Sequence, residues 1–209
     1  MCQKHLDFEV LFCYKYAMLK HGEKSKMIIL IAGKKRSGKN YVANLLHKQI
    51  ENSEIIAFAD EIKKILAITL DISLDDLDRL KSLEAPLYIK DGDTYKSITN
   101  FRKVLQHFGT DAMQKSFGKN VWTDVILKKY FLDTAKTLII PDLRFRHEFD
   151  NLKQLNPFTI LVQGGNSKDD HISEHDLIDF KFDYIIDNTK KCDISFEITD
   201  ILGKIRLNV

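Results

Sequence analysis

From residue 27 onward the apolar positions follow two alternating patterns. Met27-Ile28-Ile29-Leu30-Ile31-Ala32 is apolar without a break and stops at Gly33. A run apolar on both faces suits a central strand of a parallel sheet. From about Gly38 to Glu51 the spacing changes to three and four, with Val42, Leu45, Leu46 and Ile50 on one face of an expected helix. Residues 54–58 form a short second strand pattern, and residues 61–70 read as a helix. The stretch from about 71 to 135 reads as helical. Phe101, Val104, Leu105, Phe108 and Ala112 recur at helical spacing, as do Trp122, Val125, Ile126 and Tyr130. The turn signal Asp91-Gly92-Asp93 interrupts it. Strand character returns at residues 137–140, ending at Pro141-Asp142. A helix marked by Phe145, Phe149, Leu152 and Leu155 follows, then strands at 158–163 and 183–187. Ile194, Ile198, Ile201, Leu202 and Ile205 define a last helix over about 193–205.

Strands alternating with helices predict an open α/β sheet, with parallel neighbours joined by right-handed crossovers. Ligands in such sheets bind at the carboxyl ends of the strands. The positions to question are therefore 33–39, 60–63, 142–144 and 164 onward.

Composition sharpens this in two ways. The 209 residues are 44% apolar and 30% charged, as in a soluble globule, and no run of about 18 apolar residues exists to span a membrane. The net charge of +2 lies wholly in residues 1–26, where five lysines face three acids; the other 27 basic and 27 acidic residues cancel. That excess is too small for a protein that coats nucleic acid, so no stable nucleic-acid partner is expected. Residues 1–26 lack a signal-peptide pattern. With Leu6, Val10, Cys13 and Ala17 at helical spacing they read as an extension outside the core, leaving 27–209 as one domain and Met27 as a candidate start. Cys2, Cys13 and Cys192 make neither a disulfide framework nor a zinc site, which points to a reducing, cytoplasmic setting.

The first strand runs into Gly33-Lys34-Lys35-Arg36-Ser37-Gly38-Lys39, which fits G-x-x-x-x-G-K between a buried-type strand and an amphipathic helix. Glycines let backbone N–H groups wrap phosphate oxygens, and the helix N-terminus adds positive potential. Lys39 then reaches the β- and γ-phosphates of ATP as a point charge. The motif normally ends in Ser or Thr, whose hydroxyl ligates Mg²⁺. Here Asn40 and Tyr41 follow, so Mg²⁺ would be met by an amide oxygen, or by Asp142 through water.

Asp142 and Arg144 follow the third long strand. There an acid can serve Mg²⁺ or the acceptor, and an arginine can bridge two phosphoryl groups; a surface ion pair is the plain alternative. Arg102 and Gln106 lie one helical turn apart, and Gln106 could pair with a base edge or simply face solvent. Trp122, the sole tryptophan, reads more readily as a core anchor than as a stacking platform. Residues 164–180, opening with Gly164-Gly165 and carrying Asp170-His171-Ile172-Ser173-Glu174-His175, suggest a lid-like loop rather than a metal site. They contain no arginine.

These pieces together resemble the deoxynucleoside monophosphate kinases of large tailed phages and related viruses. The resemblance rests on Gly33–Lys39, Phe58-Ala59-Asp60 with Lys63, and Arg102 with Leu105-Gln106 and Gly109-Thr110-Asp111. It continues through Trp122, Asp142-Leu143-Arg144-Phe145 with Glu148, residues 170–174 and residues 183–188. It implies a P-loop NTPase fold, a three-layer αβα sandwich with a five-stranded parallel sheet and a helical substrate-binding insertion near 71–135. It implies transfer of the ATP γ-phosphoryl group to a deoxynucleoside monophosphate with Mg²⁺, in the host cytoplasm if the protein is viral. Kinases of this type often pair, so a homodimer is compatible with it. By resemblance, Lys39 and Arg144 would be catalytic, and Gly33, Lys34, Lys35, Arg36, Ser37, Gly38, Asn40 and Tyr41 would complete the ATP site. Asp60, Lys63, Arg102, Gln106, Asp111, Trp122, Asp142, Arg144, Ser173 and Glu174 would form the substrate side. Gln114-Lys115 and Arg146-His147 depart from the family's pattern. Two other readings stay open. The basic loop and Tyr41 also resemble animal-type phosphomevalonate kinases, and Asn40 with the arginine-poor lid would suit a non-catalytic nucleotide-binding module.

Overall fold

The architecture is that of a computed structural model, which describes residues 27–83, 86–98, 100–132, 136–165, 176–177, 179–190 and 193–207. Strand β1 (Ile28–Ala32) is almost wholly inaccessible, as an uninterrupted apolar run requires. Its side chains alternate between two faces. Ile29 and Ile31 pack with Val42, Leu46, Ile198 and Ile201, from helices α1 (Lys39–Gln49) and α7 (Ser195–Leu207). Ile28, Leu30 and Ala32 face the other way, onto Phe58, Trp122, Ile126 and Leu152. These come from α2 (Phe58–Leu70), α5 (Val121–Leu132) and α6 (Arg146–Leu152). Helices thus cover both faces, and the result is the expected three-layer α/β sandwich.

The sheet has five strands, all parallel. β2 (Ser53–Ile55) pairs with β5 (Thr137–Leu143), β5 with β1, β1 with β6 (Phe158–Gln163), and β6 with β7 (Tyr184–Asp187). The order β2-β5-β1-β6-β7 puts β1 between two strands that come much later in the chain. A crevice at the carboxyl end of β1 follows from that arrangement. A third apolar cluster, built on Leu66, Ala67, Leu77 and Phe101, joins α2 to α3 (Leu74–Ser82) and α4 (Phe101–Gln106). Among the described residues no helix is long and apolar enough to cross a membrane.

Three details differ from the sequence expectation. The 71–135 region is not helical throughout. A hairpin of β3 (Leu87–Asp91) and β4 (Thr94–Ile98) sits inside it, turning at Gly92-Asp93, so the turn signal marked a hairpin rather than a break between helices. β5 extends to Leu143, so Pro141 and Asp142 lie inside the strand near its carboxyl end. Helix α2 begins at Phe58 rather than 61, because the N–H groups of Phe58 and Ala59 are held by Asp142, a carboxylate far away in the sequence. Residues 1–26 and all three cysteines lie outside the described residues.

Candidate active site

A cleft of about 1050 Å³ opens at the carboxyl ends of the strands. One wall is the loop between β1 and α1. Gly33 (φ 146°) and Gly38 (φ 103°) adopt backbone angles that side chains disfavour. Gly38 caps α1, and Lys39 Nζ folds back to donate to the carbonyl oxygens of Gly33 at 2.6 Å and Lys34 at 2.8 Å. The Ser37 hydroxyl is buried behind Gly33 without a hydrogen-bond partner among the described residues, so Ser37, expected in the ATP site, does not line the cleft as its loop neighbours do. The loop is braced from behind. Asn188, just past β7, donates from Nδ2 to the Ser37 carbonyl at 2.8 Å. Gly165, past β6, lies so close to the Lys35 carbonyl that no side chain could fit there. Sequence reasoning gave Asn188 no role and read Gly164-Gly165 as the flexible start of a lid. In the fold both glycines are packed against loop-forming backbone.

The opposite wall is assembled from four elements. Lys63 comes from α2, Lys81 from α3, Arg102 and Gln106 from α4, and Arg144 from the turn after β5. With Lys34, Lys35, Arg36 and Lys39 on the loop, eight cationic residues line the cleft against two acids, Asp60 and Asp142. Both acids are occupied structurally. Asp142 accepts from the backbone N–H groups of Phe58 at 3.0 Å and Ala59 at 3.1 Å, clamping β5 to the start of α2. Asp60 accepts from the Ala57 N–H at 2.8 Å, closing that same first turn. Burial holds the Asp142 carboxyl above the usual carboxylate range despite its two N–H donors and nearby Arg144.

A small pocket of about 110 Å³ shares this second wall and continues past Gln106 to Thr110, Gln114, Trp122, Phe145 and Glu148. Its floor depends on a π-helical stretch (His107–Gln114) that continues α4. The indole N–H of Trp122 donates to the Gly109 carbonyl at 3.0 Å. Glu148 is buried and accepts through Oε2 from the N–H groups of Arg144 at 2.8 Å and Phe145 at 3.0 Å. Burial, with the Asp142 charge adding to it, raises its pKa to about 8.

The family model for deoxynucleotide monophosphate kinase matches residues 88–197, a little over half of the chain. The chain belongs to that family. The matched stretch holds Arg102, Gln106, Asp142 and Arg144 and leaves out the 33–39 loop. Among solved structures the kinase is similar in fold to a Deinococcus radiodurans tunicamycin resistance protein. That likeness has TM-score 0.48 and 12% identity over 86% of this chain and 95% of the other. It is also similar to a mutant of the Mycobacterium tuberculosis APS kinase CysC, with TM-score 0.43 and 10% identity over 88% of this chain and 99% of the other. No curated protein matches the sequence.

The kinase fold brings most of the expected residues to one place. Gly33, Lys34, Lys35, Arg36, Gly38, Lys39, Asn40 and Tyr41 line the cleft on one side; Asp60, Lys63, Arg102, Gln106, Asp142 and Arg144 line it on the other. Trp122 is mainly a core residue whose edge reaches the small pocket. Asp111 points outward instead, pairing with His107 at 2.6 Å and Lys115 at 3.0 Å. Ser173 and Glu174 lie outside the described residues, as do His171 and His175. The described end of the expected lid rests on the start of α6: the Arg146 N–H donates to Asp176 at 2.5 Å, and Leu177 and Phe180, with Phe182 just beyond the expected lid, reach the cleft. Lys81 is the cleft residue that sequence reasoning missed. One signal was available: it stands four residues after the fully buried Leu77, on the inward stripe of α3, where a lysine is out of place.

Proposed function

We propose that the protein transfers the γ-phosphoryl group of ATP to a deoxynucleoside monophosphate, yielding ADP and the deoxynucleoside diphosphate. One observation carries this reading: a phosphate loop faces a second, separately built cationic wall across one cleft, with a small polar pocket beside that wall. A nucleotide-binding module needs only the first wall. Two walls suit two phosphate-bearing ligands brought end to end.

The chemistry needs little more than this. An oxygen of the acceptor phosphate forms the new P–O bond to the γ-phosphorus as the bond to the β-γ bridging oxygen breaks, and ADP leaves with that electron pair. The attacking oxygen is already anionic, so no general base is required. The cleft acids fit that economy, since Asp60 and Asp142 hold backbone rather than standing poised for proton transfer. Lys39, once a nucleotide displaces it from the loop carbonyls, and Arg144 offset the charge on the phosphoryl group in flight. Asn40 is exposed in the first turn of α1 and lines the cleft, so its amide oxygen would be available to hold Mg²⁺ or one of its waters. Asp142, with both oxygens already hydrogen-bonded, fits only a water-mediated part. Mg²⁺ would supply charge neutralisation on the transferring phosphates.

A coupled ADP-release assay across dTMP, dGMP, dCMP, dAMP and mevalonate 5-phosphate tests the reading. Turnover with at least one deoxynucleotide is expected. Turnover with mevalonate 5-phosphate alone, for which the basic run Lys34-Lys35-Arg36 is the motive, would replace it. ATP binding with no acceptor at all would leave a binding module.

A further inference from the structure

We propose that Lys81 is a direct ligand of the acceptor's phosphate group, a fourth cation that completes the site and that the family match does not reach. The proposal rests on the kinase reading above and deepens it on the acceptor side. The residue's placement is set by α3. Leu77 is completely buried in the cluster that α3 shares with α2 and α4, and Lys81 follows it by one turn on the same face. Its amine is thereby carried inward. It lines the main cleft, the small pocket beside it and a third cavity of about 510 Å³ next to Lys35 and Arg36, as Arg102 and Gln106 also do.

What makes the position informative is the lack of compensation. Asp78 is the carboxylate whose charge acts on Lys81, and it is bonded to Lys63 Nζ at 3.0 Å. Among the described residues no ion pair or hydrogen bond holds the Lys81 ammonium, nor the guanidinium groups of Arg102 and Arg144. A flexible lysine at a surface avoids like charges by swinging into water. This one is partly buried, beside Lys63, Arg102 and Arg144, and burial together with those neighbours lowers its pKa. Such an arrangement disfavours the free protein and is offset when a dianion arrives. A terminal phosphate has three oxygens to share. Two arginine forks and one compact ammonium can serve it, the ammonium as a point charge where the forks meet.

Lys81→Met removes the charge and keeps the stem. Calorimetric titration and ADP-release kinetics on the full chain then give the test. The acceptor's Kd and KM are expected to rise about tenfold or more, with ATP affinity changed less than about twofold. The ligand-free melting temperature is expected to stay level or rise, because a like-charge contact has gone, and Lys81→Arg to recover part of the loss. Unchanged acceptor binding, or equal losses for ATP and acceptor, would overturn the proposal. So would a lower melting temperature in both Lys81→Met and Lys81→Gln, which would make the lysine a structural element. If the wild-type chain phosphorylates no deoxynucleotide, the kinase reading fails separately. Titration with inorganic phosphate, followed by ³¹P NMR, then still decides on Lys81: weaker binding in Lys81→Met supports it, and equal binding refutes it.

Discussion

The two walls of the cleft are built by different means. The wall proposed to bind the donor is one continuous loop, shaped by its own glycines and by Lys39 folding onto the Gly33 and Lys34 carbonyls, and held from behind by Asn188 and Gly165. The wall proposed to bind the acceptor is a meeting of side chains from α2, α3, α4 and the end of β5, brought into register by carboxylates. Asp142 ties β5 to α2, and Glu148 ties the Arg144 turn to α6. A loop of that kind can bind phosphate as a local property of the chain. The acceptor wall exists only while the tertiary fold holds it, so its affinity is coupled to stability and to the ionisation of buried acids.

Substitutions should separate the two. Lys39→Ala attacks the donor wall alone. Turnover is expected to fall by on the order of 10²–10³ or more, as for loss of a group that stabilises the transition state. Lys39 is bonded to loop carbonyls at the rim, so the melting temperature should move by only a few degrees. Near-normal steady-state turnover in this variant would refute the donor assignment.

The next effect belongs to the acceptor wall and is read as a pH dependence. Two N–H donors favour the charged form of Glu148, but burial outweighs them, and its pKa stands at about 8 in the folded chain. In the unfolded chain it ionises near the ordinary glutamate value of 4.5. Between these values the folded state holds the extra proton, so this group's contribution to stability falls as pH rises from about 4.5 to about 8 and is fully lost above that. The slope is up to about 1.4 kcal/mol per pH unit. Asp142, also raised, acts in the same direction. Glu148→Gln keeps a neutral acceptor and should flatten the profile. Thermal melts from pH 5 to 9 check this, and parallel profiles for the two proteins would show that the carboxyl is already ionised.

The smallest effect should come from the brace behind the loop. Asn188→Ala removes the hydrogen bond to the Ser37 carbonyl, which is worth about 1 kcal/mol. ATP KM should rise several-fold while acceptor KM stays level. A change confined to the acceptor would mean that the walls are not independent.

The same contrast explains what could be read in the sequence. The loop was legible because its chemistry is contiguous, and the central strand because an unbroken apolar run has few alternatives. Both β1 and the 33–39 loop stand where the pattern put them. Arg144 and Lys63 were marked by their places after strands and Arg102 by its helical spacing from Gln106; the resemblance gave them roles, and the fold gathers them. Lys81 belonged to no motif, and only its place on a buried stripe marks it. The Asp142 clamp reaches across 84 residues to Phe58, so no local pattern could reveal it. The same clamp displaced the expected start of α2. Asp111 shows the converse, because a motif neighbour need not share the motif's face; here it pairs outward with His107 and Lys115.

The central claim is that one cleft holds donor and acceptor phosphates at once. Calorimetric binding of a bisubstrate analogue, an adenosine joined to a deoxynucleoside through a five-phosphate chain, tests it most directly. Binding should exceed that of ATP and of the better monophosphate by at least about 10²-fold, as linking two sites requires. Lys39→Ala and Arg144→Ala should each remove most of that gain. An analogue that binds no more tightly than ATP, with Arg144→Ala making no difference, would contradict the account.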